Sequence, residues 1–156
     1  MNEFQEGKKA PSFSLDSSSG KINLKDFLGK KNIVLYFYPK DATPGCTQEA
    51  CDFRDAYQKF RTLDTEILGI SADPVMSHQK FSDKWKLPFP LLSDESREVL
   101  KECGVWKEKS LYGRKFMGIE RTTVVIDKKG KIKKLFPKVK VKGHVDEVLS
   151  VLQELE

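Results

Sequence analysis

The sequence predicts an α/β domain in which helices flank a mixed central β-sheet, with a β-hairpin at the N-terminus. Residues 33–38 form an apolar run that is continuous rather than alternating, which is typical of a central strand covered on both faces. Helical spacing follows over residues 47–62, and a second apolar run follows at 67–71. At 156 residues the chain has the size of one domain, which we expect to span residues 1–156.

The N-terminal part alternates between apolar and polar residues on both sides of a turn. The alternation at 12–15 and 21–24, with the turn-forming residues 16–20 between them, predicts a β-hairpin over 12–24. Residues 25–29 predict one helical turn that ends in glycine. The strongest strand of the chain is then expected at residues 32–38.

A helix is predicted for residues 47–62 because apolar side chains recur there at helical spacing. They are Ala50, Phe53, Ala56, Tyr57 and Phe60. After the strand at 67–71, residues 77–85 predict a second helix with Ser77 as its N-cap. The proline-rich segment 87–92 is expected to be extended.

The C-terminal half predicts a helix, a loop, a hairpin and a final helix. Asp94 or Ser96 is expected to cap a short helix through Val99, Leu100 and Cys103, with Gly104 just past its end. Residues 105–118 are expected to form a loop. Residues 122–127 and 131–136 predict two strands joined by a turn. The last helix is predicted from apolar residues at helical spacing, namely Val145, Val148, Leu149, Leu152 and Leu155.

The composition is that of a globular protein, with 38% apolar and 33% charged residues. The net charge of +5 favours a polyanionic partner in principle. The lysines are nevertheless spread among acidic residues without an arginine-rich block, so we expect no nucleic acid partner. No apolar run approaches a membrane span, and residues 1–7 lack the apolar segment of a secretory signal. We therefore expect a cytoplasmic protein.

The three cysteines do not predict a metal site. Structural zinc needs about four ligands in closely spaced pairs. Cys46, Cys51 and Cys103 are scattered, as are His78 and His144. Three cysteines are also few for a secreted disulfide scaffold, so inert or catalytic thiols are the remaining alternatives.

Cys46 is predicted to lie where a central strand ends and a helix begins, at the sheet edge where α/β proteins place their sites. The unpaired N–H groups and the dipole at a helix start favour the thiolate form of a cysteine. Pro44 and Gly45 suit such a first turn. Thr43 could donate a hydrogen bond to the thiolate or to an oxygen bound there; the alternative is an ordinary N-cap. Buried, inert cysteines remain the alternative for the thiols.

The spacing of Cys46 and Cys51 restricts how they can react with each other. Five residues of regular helix separate their Cα atoms by roughly 8–9 Å. A disulfide requires Cα atoms within about 7 Å. If the two thiols bond, the first turn of the helix must therefore unwind.

Pro39-x-x-x-Thr43-x-x-Cys46 resembles the active-site motif of the peroxiredoxins. Residues 42–51 are similar to the bacterioferritin comigratory protein (peroxiredoxin Q) subfamily. The resemblance covers nearly the whole chain. Its further matching segments are residues 73–74, 88–94, 112–115, 118–123 and 140–144.

This resemblance implies a thioredoxin-like fold and a peroxidase without a bound cofactor that reduces hydrogen peroxide and organic hydroperoxides in antioxidant defence. It implies that Cys46 attacks the O–O bond and becomes a sulfenic acid. Cys51 would then form an intramolecular disulfide with Cys46. Thioredoxin or a similar dithiol would reduce that disulfide. The subfamily is often monomeric, because both thiols lie in one chain.

The resemblance also assigns roles to residues around the thiols. It implies that Arg121 holds the thiolate and orients the peroxide, as a fixed guanidinium can. It implies that Thr43 supplies a hydroxyl, that Pro39 shields the site, and that Glu49 lies near the arginine. On spacing alone, Arg121 would be a surface charge and Glu49 a first-turn acid favoured by the helix dipole.

Two departures and two alternatives accompany the resemblance. Val124 stands where an aromatic residue is expected, which concerns packing. Cys103 lies outside the motif, and we expect it to be part of the apolar core. Its alternative interpretation is that it acts as a second resolving thiol. A disulfide reductase or isomerase is disfavoured because no C-x-x-C occurs. A basic nucleic-acid-binding domain with structural cysteines is the non-enzymatic alternative.

Overall fold

The computed structural model describes residues 4–155 of the chain. The strands within that range are β1 Ser14–Ser17, β2 Gly20–Asn23, β3 Asn32–Phe37, β4 Thr65–Ser71, β5 Leu91–Ser93, β6 Trp106–Leu111, β7 Arg114–Ile119, β8 Thr122–Ile126 and β9 Ile132–Phe136. The helices are α1 Pro44–Thr62, α2 Val75–Trp85, α3 Glu98–Glu102 and α4 His144–Glu154, and a 3-10 turn covers Leu24–Phe27.

Among the described residues, seven strands form one mixed sheet in the order β2-β1-β5-β4-β3-β8-β9. The strands β3, β4 and β5 are parallel to one another, while β8 runs antiparallel to β3. The predicted hairpin at the N-terminus is formed by β1 and β2. The predicted mixed sheet with an N-terminal hairpin is thus confirmed.

Two apolar layers cover the two faces of this sheet, because alternate residues of a strand point to opposite faces. From β3, Val34 and Tyr36 face one layer, while Leu35 and Phe37 face the other. The first layer contains residues of α1, α2 and α4, and the second contains residues of α3. Val124 is fully buried in the second layer, so its departure from the expected aromatic concerns packing.

The prediction of a loop at residues 105–118 is wrong, because this segment forms an antiparallel hairpin of β6 and β7. Its turn is Tyr112-Gly113, and both residues have positive φ angles (51° and 77°), as two-residue hairpin turns of this kind require. The two strands pair with each other outside the main sheet. Most of their side chains are exposed on both faces, so the alternation that signals a strand is missing from the sequence.

Three helix starts differ from the prediction. α1 begins at Pro44, three residues before the predicted segment 47–62, and therefore includes Cys46. α2 begins at Val75, so Ser77 lies inside its first turn and is not the N-cap. Arg97 occupies the N-cap position of α3 in a left-handed conformation, yet both predicted residues bond the start of that helix. Asp94 Oδ2 accepts from the Leu100 N–H at 2.8 Å, and Ser96 Oγ accepts from the Glu98 N–H at 3.3 Å.

Within residues 4–155, no helix is both long enough and apolar enough to cross a bilayer.

Replacing Gly69 by alanine should destabilise the fold. A Cβ atom there would lie 2.9 Å from the Tyr36 ring and hydroxyl and 2.9 Å from Leu91 Cδ2, in the fully buried centre of the sheet. We expect Gly69→Ala to lower the free energy of unfolding by about 1–3 kcal/mol in a denaturant titration. Gly118→Ala is the control, because a Cβ there meets only flexible side chains, with the Lys109 stem nearest at 3.3 Å. Equal stability of the two variants would contradict this account.

Candidate active site

Cys46 lies in the first turn of α1, directly after the loop that leaves the central strand β3. Thr43 has extended backbone, and its carbonyl accepts the N–H of Thr47 at 2.9 Å, which starts the helix. Pro44 fits the first helical position because its missing N–H has no acceptor to lose there. The Cys46 side chain is buried at the positive end of the helix dipole.

Arg121 connects Cys46 with Glu49. It directly precedes β8, whose antiparallel pairing with β3 places it at the edge of the sheet where α1 begins. Its Nη2 donates to Cys46 Sγ at 3.3 Å, and its Nη1 donates to Glu49 Oε1 at 2.7 Å. A guanidinium in this position favours the thiolate form of the cysteine by direct attraction.

Gly45 makes this approach possible. A Cβ atom at Gly45 would lie 3.3 Å from Arg121 Nη2, so a larger residue would press on the same nitrogen that contacts Cys46. The absence of a side chain at this position lets the guanidinium lie against the first turn of the helix.

Glu49 is almost completely buried, and its charge state is set by opposing effects. Burial raises the pKa of Glu49 to about 7, although the charge of Arg121 and its hydrogen bond act in the opposite direction. Burial also lowers the pKa of Arg121, but the negative charges of Glu49 and Cys46 outweigh this and keep the pKa above its ordinary value. Within the described chain, Glu49 Oε2 and the Tyr36 hydroxyl are buried without a hydrogen-bond partner.

Thr43 and Pro39 belong to the loop before the helix. The Thr43 hydroxyl donates to the Lys40 carbonyl at 2.9 Å, and within residues 4–155 it makes neither a helix cap nor a hydrogen bond to Cys46. The Thr43 hydroxyl oxygen can therefore still accept a hydrogen bond. Pro39 is half-buried where the loop leaves β3. Ala42 has a φ of 65°, a strained conformation for a residue with a side chain.

Cys51 lies in the second turn of the same continuous helix, and both thiols are free. Burial raises the pKa of the Cys51 thiol, Arg54 opposes this, and Asp55 and Asp52 add to it. The raised pKa disfavours the thiolate form of Cys51.

Cys103 is separated from the other two thiols by the sheet. It belongs to the second apolar layer, whereas Cys46 belongs to the first. Burial raises the pKa of the Cys103 thiol far above its ordinary range, which leaves it protonated and inert. Its position is that of a core residue, as its place in the sequence predicted.

A polar cluster that no sequence pattern predicted lies behind the loop. It is formed by Tyr38, Asp41, Asp73, Ser77 and His78. Asp41 Oδ2 lies 2.7 Å from His78 Nδ1, a contact between residues 37 positions apart. The cluster forms because α2 packs against the loop, and no local sequence pattern predicts that contact. The single sequence signal for this cluster was the position of Asp41, which occupies one of the unspecified positions of the motif Pro39-x-x-x-Thr43-x-x-Cys46.

A free thiol at the start of the helix that follows the central strand, with an arginine beside it, defines a redox protein that works through a cysteine thiolate. The fold is thioredoxin-like. The AhpC/TSA family model matches residues 7–135, and the chain belongs to this family.

Its relatives are peroxiredoxins. A putative peroxiredoxin Bcp of Coxiella burnetii is 50% identical over 147 residues, which cover 94% of this chain and 97% of that protein. The peroxiredoxin Bcp of Bacillus subtilis is 49% identical over 150 residues, which cover 96% and 95%. The structure of a cysteine-to-serine variant of Xylella fastidiosa PrxQ matches with a TM-score of 0.91 at 34% identity, covering 99% of this chain and 98% of that one. The chain is thus a thiol-dependent peroxidase of the Bcp and PrxQ type.

The burial of Glu49 predicts a pH-dependent stability. Because its pKa is raised from 4.5 to about 7 in the folded chain, the unfolded chain loses this proton first as the pH rises. Between pH 4.5 and 7 the folded state therefore holds more protons, and the free energy of unfolding falls by a total of about 3 kcal/mol from this group.

The measurement compares Glu49→Gln with the native chain in denaturant titrations from pH 4 to pH 8. We expect the stability of the variant relative to the native chain to rise by about 3 kcal/mol over this window. Glu95→Gln, at an exposed acid, serves as the control and should leave the native pH dependence unchanged. A difference between Glu49→Gln and the native chain that stays constant with pH would contradict the assignment.

Proposed function

We propose that Cys46 is the peroxidatic cysteine and that Arg121 holds its thiolate and orients the peroxide. The observation that carries this proposal is the 3.3 Å hydrogen bond from Arg121 Nη2 to the buried Cys46 Sγ at the start of α1. The helix dipole and the guanidinium both favour a negatively charged sulfur at this position. Glu49 fixes the guanidinium from its other side at 2.7 Å.

In the first step the Cys46 thiolate attacks one oxygen of the peroxide, and the O–O bond breaks. An S–O bond forms, so that the sulfur is oxidised to a sulfenic acid. The second oxygen leaves with the electron pair of the broken bond and takes up a proton, which releases water or an alcohol. Arg121 has a planar fork of donors for the negative charge that develops on these oxygens. Thr43 supplies a hydroxyl oxygen beside this site, and Pro39 limits access of water to it.

In the second step the Cys51 sulfur attacks the Cys46 sulfenic acid and displaces its hydroxyl group, which leaves as water. The product is an intramolecular disulfide. Its formation requires the first turns of α1 to unwind, because regular helix keeps the two Cα atoms about 8–9 Å apart. Cys51 is partly exposed and Cys46 is buried, so unwinding also brings Cys46 toward the surface.

In the third step an external dithiol reduces this disulfide by exchange and becomes a disulfide itself. Thioredoxin or a similar protein is the proposed dithiol. The proposed substrates are hydrogen peroxide and organic hydroperoxides. A solved relative, the Xanthomonas campestris bacterioferritin comigratory protein, is described for its alkyl peroxide reduction activity. The protein would work as a monomer in the cytoplasm, since both reacting thiols belong to one chain and recycling needs a reducing environment.

Cysteine variants test the roles directly. One equivalent of hydrogen peroxide should lower the mass of the reduced native chain by about 2 Da and link the peptides of Cys46 and Cys51 after digestion. Cys46→Ser should consume no peroxide, and Cys51→Ser should accumulate the sulfenic acid after about one equivalent. With thioredoxin and its reductase present, the native chain should turn over repeatedly.

Cys103→Ser is the matched control, because that thiol lies in the opposite core layer and should not affect turnover. Peroxide consumption by Cys46→Ser would refute the role of Cys46. A disulfide that includes Cys103 would refute the role of Cys51.

The oxidised protein should lose helix at the start of α1. We expect the far-ultraviolet circular dichroism signal to fall, and amide hydrogen exchange of residues 44–51 to accelerate, when the Cys46–Cys51 disulfide forms. Residues 53–62 of the same helix should keep their protection and serve as the internal reference. Identical exchange in the reduced and oxidised proteins would show that the disulfide forms without unwinding.

A further inference from the structure

A buried carboxylate lies inside the loop that leads to Cys46. Asp41 stands between Pro39 and Thr43, and its side chain is only 3% exposed. It accepts hydrogen bonds from the Tyr38 hydroxyl at 2.6 Å and from the Ser77 hydroxyl at 2.8 Å. It also contacts His78 Nδ1 at 2.7 Å.

The surroundings of His78 determine where its protons lie. The ring is completely buried, and its Nε2 faces the Leu92 carbonyl oxygen at 2.9 Å. A carbonyl oxygen only accepts, so Nε2 must carry a proton. At Nδ1 the nearest partner is the Asp41 carboxylate, which already accepts from two hydroxyl groups. With Asp41 ionised, the ring donates from both nitrogens and is an imidazolium, and the two residues then form a buried ion pair.

This pair joins the loop to two other parts of the fold. His78 belongs to α2, and through Leu92 it is tied to β5. The backbone N–H of Asp41 donates to Asp73 Oδ2 at 2.8 Å, and the same oxygen accepts from the Ser71 hydroxyl at 2.6 Å. The backbone of Asp41 is therefore held by the segment between β4 and α2, and its side chain is held by α2.

Strain in the loop explains why such an anchor is needed. Ala42, directly after Asp41, has a φ of 65°, and a non-glycine residue keeps this conformation only when its surroundings impose it. Thr43 follows, and its carbonyl makes the hydrogen bond that starts α1. The position of Asp41 is thus transmitted through two residues to the first turn that carries Cys46.

We propose that the Asp41–His78 ion pair is a positioning element for the peroxide step, which holds residues 39–43 and the first turn of α1 in the geometry that Cys46 needs for attack. Neither side chain touches the sulfur or the peroxide in this scheme. The inference rests on the proposed role of Cys46. It assigns to the pair the placement of the loop and of the turn that carries Cys46, while Arg121 stabilises the thiolate and orients the peroxide.

The ion pair itself is tested by nuclear magnetic resonance of the reduced protein labelled with ¹⁵N at histidine. We expect both ring nitrogens of His78 to carry protons at neutral pH, and the Asp41→Asn variant to show a neutral ring. A neutral His78 ring in the native chain would overturn the ion pair, whatever the reaction of Cys46.

The positioning role is tested with Asp41→Asn and His78→Gln by comparing two reactions of Cys46 in single-turnover measurements. Alkylation by iodoacetamide needs the thiolate but not an aligned peroxide, so its rate should stay within about threefold of native. The reaction with hydrogen peroxide should slow by about tenfold or more, since misplacement by a fraction of an ångström is costly for an aligned attack. Equal slowing of both reactions, or a native peroxide rate, would overturn the inference.

Two further variants separate positioning from loss of stability. Phe60→Leu weakens the core on the same helix, about 21 Å from Cys46 along the axis, and should leave both reactions near native. The double variant Asp41→Asn with His78→Gln removes both charges, so it leaves no buried charge unpaired and should be more stable than either single variant. Its peroxide reaction should remain slow. A native rate in the double variant, or a slow peroxide reaction in Phe60→Leu, would overturn the inference.

These measurements also distinguish failure of the inference from failure of the proposed function. Peroxide consumption by Cys46→Ser would count against the role of Cys46. A reactive Cys46 combined with unchanged peroxide rates in the Asp41 and His78 variants would count against the positioning role alone.

Discussion

The guanidinium of Arg121 is the contact on which the reactive part of this structure depends. It donates to Cys46 Sγ and to Glu49 Oε1 at the same time, and these two residues lie one turn apart on α1. A cation brings together a buried thiol and a buried carboxylate that would otherwise both be costly in the interior. Gly45 has no side chain that would block the guanidinium, and the antiparallel pairing of β8 with β3 delivers it to the helix start.

The chain combines a rigid scaffold with a segment that must move. The sheet is covered by apolar layers on both faces and holds β3 and β8 in place. The proposed disulfide, in contrast, requires the start of α1 to unwind. The cluster around Asp41 and His78 lies between the rigid sheet and the mobile helix start, because it fixes the loop just before the turn that unwinds. A loop held from the side of α2 allows the helix start to unwind while Asp41 keeps its place.

Much of the fold could be predicted because its signals are local. The continuous apolar run of β3, the helical spacing in α1 and α4 and the turn residues of the two sheet hairpins each act over a few residues. The hairpin of β6 and β7 escaped prediction because its side chains are exposed on both faces, so no alternation marks its strands. The start of α2 was misplaced because Ser77, a favourable N-cap by type, uses its hydroxyl to reach Asp41 instead.

The sequence by itself determined the positions of Cys46 and Cys51 at a helix start and, through a motif, the family to which the chain belongs. It also determined that regular helix keeps these two thiols apart, since helix geometry depends only on their spacing. The family resemblance also implied Arg121 and Glu49 beside Cys46, but the tertiary structure alone decided their contacts and the polar cluster around Asp41. Arg121 lies 75 residues from Cys46 in the chain, and His78 lies 37 residues from Asp41. Contacts of this kind follow from strand order and helix packing, which leave no periodic trace in the residues that make them.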